Sequence, residues 1–272
     1  MKIKKLLMFT GIFSITAIYL FATAPQPLEA AAKSQADISI EKALQIINKE
    51  HANIRELYTK EIVGQGFKRG LKFQEEWEEE EVVAAPLPAQ FLREIARSLE
   101  QSSVPLGLYL ASDFAINKAN ILEGEQLQQY KKLSKDRTEQ FSYLQDIQRY
   151  TLMVPDVAIG KPCVQCHNDH KDSPKTDWKL GEIMGATTWS YPNETISYEE
   201  LFAMLNALHQ GVRDAYSRVI EEFNQLPMPP TIGPYWPADD YALPDMETFM
   251  AKIETLNAKP TLKAISNLSK QD

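Results

Sequence analysis

The chain has 272 residues, 44% hydrophobic and 10% aromatic, enough apolar material for one large domain or for a domain plus an extension. Its formal net charge of −8 argues against nucleic acid as a partner, which would call for a basic face.

The chain opens with an export-type segment. Lys2, Lys4 and Lys5 precede an uncharged run over 6–24, and small-x-small sites follow at 22–24 and 30–32. The run is near the lower limit for a membrane-spanning helix. Thr10, Gly11, Ser14 and Thr16 dilute it, and Pro25 and Pro27 end it. This predicts a signal peptide over 1–32, with retention as an inner-membrane anchor through 6–24 as the alternative. Either way the protein is expected in the periplasm or another extracytoplasmic space.

A long amphipathic helix is predicted over 39–63. Ile40, Leu44, Ile47, His51, Ile54, Tyr58 and Ile62 form its seam at intervals of three and four, and Gly64, Gly66 and Gly70 are expected to break it. The acidic stretch 75–81 reads as a solvated loop. Pro86-Leu87-Pro88 opens a second helix with Phe91, Leu92, Ile95 and Leu99 on one face. A strand is predicted at 107–111 and a helix at 123–133. Strands follow at 140–144 and 148–154, split by a turn at Gln145-Asp146, and another at 182–191. From 197 a helical seam returns: Leu201, Leu205, Leu208, Val212, Tyr216, Val219 and Phe223. A Pro-rich stretch (227–237) leads to a short helix capped by Asp245 and ending near 256. Helices before and between short strands, with no βα alternation, predict an α+β domain over 36–192 with a small antiparallel sheet, and a helical extension over 193–272.

Cys163, Val164, Gln165, Cys166 and His167 spell Cys-x-x-Cys-His, and these two cysteines are the chain's only ones. The spacing is the attachment signature of a c-type haem. Two thiols three residues apart can each add to a vinyl group, and the following imidazole then reaches the iron as proximal ligand. A thioredoxin-like pair would want a strand before the motif and a helix after it. Here Lys161-Pro162 precedes and a polar loop over 168–179 is expected to follow. A zinc site would want two more nearby ligands, and only His170 is close. One covalently bound haem c is therefore expected, and its extracytoplasmic attachment agrees with the export segment.

The sequence over 58–191 resembles a family of extracytoplasmic c-haem domains, long catalogued as a domain of unknown function, that occur alone or as input modules of bacterial histidine kinases, chemoreceptors and cyclases. Leu57-Tyr58-Thr59, Pro86-Leu87-Pro88-Ala89 and Ile116-Asn117-Lys118-Ala119-Asn120 support the resemblance. The specific run is Cys163 to Asn168, continued by Asp172-Ser173-Pro174-Lys175-Thr176-Asp177-Trp178-Lys179, Gly181 and Gly185. The resemblance implies a PAS-like fold, an antiparallel sheet flanked by helices, and a sensory or redox role. With no output domain in sequence, such a protein is expected to act through a membrane signalling or redox partner, with the C-terminal helices, which lie outside the resemblance, as the docking element.

The second axial position decides the chemistry of such an iron. His51 is the first candidate for the distal ligand, because it takes a seam position where the periodicity calls for a hydrophobe; a hydrogen-bonded core histidine is the competing reading. His170 is tethered to the proximal side, and His209 lies beside the C-terminal seam. Met153 and Met184 read as core. Arg55, Arg149 and Lys175 are candidate propionate contacts, against the alternative of ordinary surface charges. Trp178 and Trp189 could wall the haem or fill the core. No distal acid–base set is legible, so a non-enzymatic redox or small-ligand sensor is expected, with a periplasmic electron-transfer cytochrome c as the alternative.

Overall fold

The structure is a computed structural model that describes residues 38–268 except Glu80 and Asp239. The expected signal or anchor over 1–32 lies outside the described residues. Among those described, no helix is long and apolar enough to cross a membrane.

Strand β1 (Ile38–Ser39) leads into helix α1 (Ile40–Leu57), and the predicted seam is its buried face: Ile40, Leu44, Ile47, His51 and Ile54. The helix does not break at the glycines. It passes through a π-helical segment (Tyr58–Val63) into helix α2 (Gly64–Lys68), so Gly64 and Gly66 lie inside the rod. Gly66 serves packing, since a Cβ there would sit 2.7 Å from the Phe73 ring. The chain turns only at Gly70, whose φ of 81° suits a residue without a side chain.

Short strands β2 (Phe73–Gln74) and β3 (Ala85–Pro86) pair in parallel, and helix α3 (Pro88–Gln101) follows with a proline in its first turn. Strand β4 (Gly107–Ala111), helix α4 (Gly124–Asp136) and strands β5 (Gln140–Leu144) and β6 (Arg149–Val157) come next. Helix α5 (Lys161–Asp169) carries the Cys-x-x-Cys-His motif, and strand β7 (Ile183–Tyr191) returns to the sheet. The main sheet is antiparallel and four-stranded, ordered β4-β7-β6-β5, so its first strand pairs with its last. With two pleated faces, alternate residues enter different cores. Leu108, Leu152, Trp189 and Tyr191 face the large helix-side core. Ala111, Met153 and Ala186 pack with Tyr130 and Leu133 of α4 on the other side. The fold is thus α+β, as the order of the predicted elements implied.

Beyond strand β8 (Thr195–Ile196), which pairs with β1, helix α6 (Tyr198–Asn224) buries all seven residues of its predicted seam. Its start is a reciprocal cap: the Ser197 hydroxyl accepts from the Glu200 N–H, and the Glu200 carboxylate accepts from the Ser197 N–H. The last helix, α7 (Met246–Leu268), runs well past the end expected near 256 and continues through Pro260. Tertiary bonds hold it. Glu50 of α1 lies 2.8 Å from His209 Nε2 of α6, and it also accepts from the Thr261 hydroxyl of α7. Asn53 donates to Asn257 at 2.8 Å. Phe249, Met250 and Ile253 enter the same core as α1 and α3, so the described part of 193–272 is built into the domain rather than appended to it.

The acidic loop is also less free than its composition suggests. Trp77 is 2% exposed, with the Arg218 guanidinium 4.4 Å from its ring. Glu78 pairs with Arg97 at 2.6 Å and with Arg218 at 3.3 Å, and buried Glu94 bonds the same two arginines. The loop is therefore strapped across α3 and α6 by an indole and an ionic knot.

Candidate functional site

Strand β6 delivers the chain into α5 through Ala158, Ile159 and Gly160, and Pro162 sets the first turn of the helix. The motif therefore lies inside a helix, with a strand before it. The helix ends at Asp169, so the polar loop expected from 168 follows from His170, and electrostatics speak against a redox pair as well. The Cys166 thiol is pushed up by burial first, then by Glu75, Cys163 and Glu76. A thiol–disulfide catalyst needs the opposite, a thiolate made cheap by positive surroundings. Cys163 and Cys166 are both free thiols, the first half-buried and the second exposed.

Helical spacing places Cys163 and His167 on one face, four residues apart, with Cys166 adjacent. The His167 imidazole is half-buried and meets the Trp178 ring edge-on, 6.5 Å between centroids at 85°. Desolvation lowers its pKa, opposed by Asp156 and Glu75, so the ring favours the neutral form that metal ligation requires. Its Nδ1 is buried without a hydrogen-bond partner among the described residues. Trp178 belongs to a small apolar cluster with Ala158 and Met184, against which Cys163 and Val164 pack.

The loop after the motif is closed by one side chain. Asn168 Oδ1 accepts from the Trp178 N–H at 2.8 Å, and Asn168 Nδ2 donates to the Trp178 carbonyl at 3.1 Å. His170 Nε2 sits 3.3 Å from Glu75, which joins the motif's helix to the acidic loop, and His170 Nδ1 accepts from the Asp172 N–H. Ile159 is 87% exposed, Leu180 56% and Phe114 40%, so apolar side chains flank the motif at the surface.

The other sequence candidates divide. Arg55 pairs with Asp156 at 3.0 Å, on the end of β6 that leads into α5, so it does reach the neighbourhood of the motif. Lys175 lies 4.4 Å over the Trp178 ring and pairs with Asp177 and Glu182. Arg149 is not brought in. It starts the nine-residue strand whose far end precedes the motif, about 25 Å away at the rise of an extended strand, and it donates to the Pro105 carbonyl.

His51 lies in the helix-side core, with its Nε2 buried and without a hydrogen-bond partner among the described residues. It is 2% exposed and meets Trp189 edge-on at 5.3 Å in the helix-side core, whereas His167 rests on the separate Trp178 cluster. Among the described residues no hydrogen bond or ring contact joins the two histidines. His209 is taken by Glu50. Met153 and Met184 are buried, as expected for core residues. Asn168, Asp156 and Glu75 escaped the sequence reading. Asn168 adjoins the motif and could have been suspected, but its partner lies ten residues on and is fixed only by the loop's path. Among the described residues, no group of three or more His, Cys, Asp or Glu side chains is gathered as a cage for a metal ion.

Helices packed on a small antiparallel sheet, with two free thiols and a neutral, half-buried imidazole on one helix beside it, define an α+β domain with a two-thiol, one-imidazole site. The chain belongs to the Tll0287-like family, which it matches over residues 25–192. No curated protein and no solved structure matches it.

Proposed function

We propose that the protein is an exported monohaem c-type protein that acts as a redox or small-ligand sensor. The observation that carries this reading is the arrangement on α5: Cys163 and Cys166 unpaired and three residues apart, followed by His167 with its ring held against Trp178. These residues fit the group. Two free thiols, one half-buried and one exposed, can form thioethers, and an imidazole whose Nδ1 is buried without a partner among the described residues leaves Nε2 for iron. When bound, the haem supplies a one-electron couple and, where the second axial position is open or labile, a seat for a small gas.

The chain's own residues set the surroundings. Cys163 and Cys166 would anchor the macrocycle and His167 would hold the iron from one side. Asp156 and Glu75 place negative charge beside the imidazole, which favours the more positive, oxidised site. An antiparallel sheet covered by helices agrees with the PAS-like arrangement implied by the family resemblance, and a non-enzymatic role with action through a membrane-side partner follows from the same reading.

A periplasmic electron-transfer cytochrome c is the second reading. Exposed Cys166 and the surface apolar residues Ile159 and Leu180 favour it, because they put the attachment edge within reach of a redox partner. A reduced-minus-oxidised spectrum of protein matured with haem tests the common premise. A c-type α-band that disappears in Cys163→Ala/Cys166→Ala supports it, and a parent protein without the band rejects it. Binding of carbon monoxide or nitric oxide to the reduced protein selects the sensor; rapid electron exchange without gas binding selects the carrier.

A further inference from the structure

We infer that Asn168 and Trp178 form a clip that orients the proximal imidazole, making both of them positioning residues for His167; this rests on the haem reading above. One amide side chain satisfies both backbone polar groups of Trp178, at 2.8 and 3.1 Å. Asn168 is the residue directly after His167, so the clip ties the indole to the same helical turn that carries the ligand.

Packing completes the lock. Trp178 is 5% exposed and touches Phe114 edge-on at 6.0 Å, while the Lys175 ammonium covers its ring at 4.4 Å. The indole thus has little freedom, and it stands nearly perpendicular to the imidazole at 85°. The indole bounds the imidazole on that side. A ligating histidine is ordinarily oriented by a hydrogen bond from its second nitrogen to a carboxylate, carbonyl or water. Among the described residues the His167 Nδ1 has no carboxylate or carbonyl partner, and the aromatic contact with the clip behind it is what holds the ring. The indole N–H is also buried and has no partner among the described residues, so the contact is one of ring against ring and does not depend on that donor.

The test uses protein matured with haem in cells, comparing the parent with Asn168→Ala, Asn168→Asp, Trp178→Leu and Trp178→Phe. Covalent haem content, read from the pyridine haemochrome, should match the parent in all four, because the thioethers are made by Cys163 and Cys166. The electron paramagnetic resonance g-values of the oxidised protein and its midpoint potential should move in Asn168→Ala and Trp178→Leu. They should stay near parental in Trp178→Phe, which keeps a ring in place. Trypsin should cut the haem-free Asn168→Ala protein faster at Lys171 and Lys175 than the parent, a reading of the clip that needs no haem. Parental g-values and potential in both Asn168→Ala and Trp178→Leu would overturn the inference and leave the haem reading standing. A parent that takes up no covalent haem overturns both.

Discussion

At the scale of one residue, His51 shows what burial does to a histidine on a helical seam. Its ring is enclosed by the helix-side core against Trp189, and desolvation, reinforced by Arg55, lowers its pKa from 6.5 to about 3. The unfolded chain therefore takes up a proton as pH falls through 6.5, while the folded chain resists until about pH 3. The neutral-histidine contribution to stability is complete above pH 6.5 and is lost progressively between that value and about 3. Between pH 7 and pH 5 the parent should lose about 2 kcal/mol more unfolding free energy than His51→Leu, since one pH unit across such a window costs about 1.4 kcal/mol. Urea unfolding of both proteins at the two pH values measures the difference, and parallel losses would show that His51 is not held neutral. In protein matured with the proposed haem, His51→Leu also tests the distal-ligand reading: the contact with Trp189 rather than with His167 predicts an unchanged spectrum, and a changed iron spin state would make His51 the ligand.

At the scale of the element, two predictions follow from how strands and helices meet. Gly185 lies on β7 where the register with β6 shifts, and a Cβ there would stand 2.8 Å from the Ala111 carbonyl oxygen of the neighbouring strand. A backbone atom paired in a sheet cannot swing aside, so Gly185→Ala should destabilise by about 1–3 kcal/mol. Ser197→Ala removes the hydroxyl half of the cap on α6 and should cost about 1 kcal/mol, read as a lower urea midpoint at unchanged slope. The helical seams were legible because a period of 3.6 is a local property. The persistence of α1 through Gly64 and Gly66 was not, since the room that Gly66 leaves is filled by Phe73, a contact made only after the chain has turned back.

For the whole molecule, the family match ends at 192 but the core does not. Tyr216, Val219, Phe249 and Ile253 pack with the face of α1, and Glu50 is buried only because His209 and Thr261 answer it. A chain shortened to end at Asn224 would strip the cover from this core and leave Glu50 without the Thr261 hydroxyl. It should lose the cooperative thermal transition and bind a hydrophobic dye. A parental melting transition in the shortened protein would show that α7 is dispensable. Within the full chain, Glu50→Gln should lower the transition without abolishing it, because an amide can still accept from Thr261.

The sequence by itself determined the cofactor expectation and most of the elements. Cys163, Cys166 and His167 are neighbours along the chain, and alternation and helical seams are written at short range. Only the tertiary structure decided which distant residues share their surroundings. It carried Arg149 to the far end of β6, kept His51 with Trp189, brought Glu75 to His170 and folded Trp178 back onto Asn168. The reason is physical: sequence periodicity reports which face of an element is buried, but not against what. The partner of a buried ring or amide is set by the path of the whole chain.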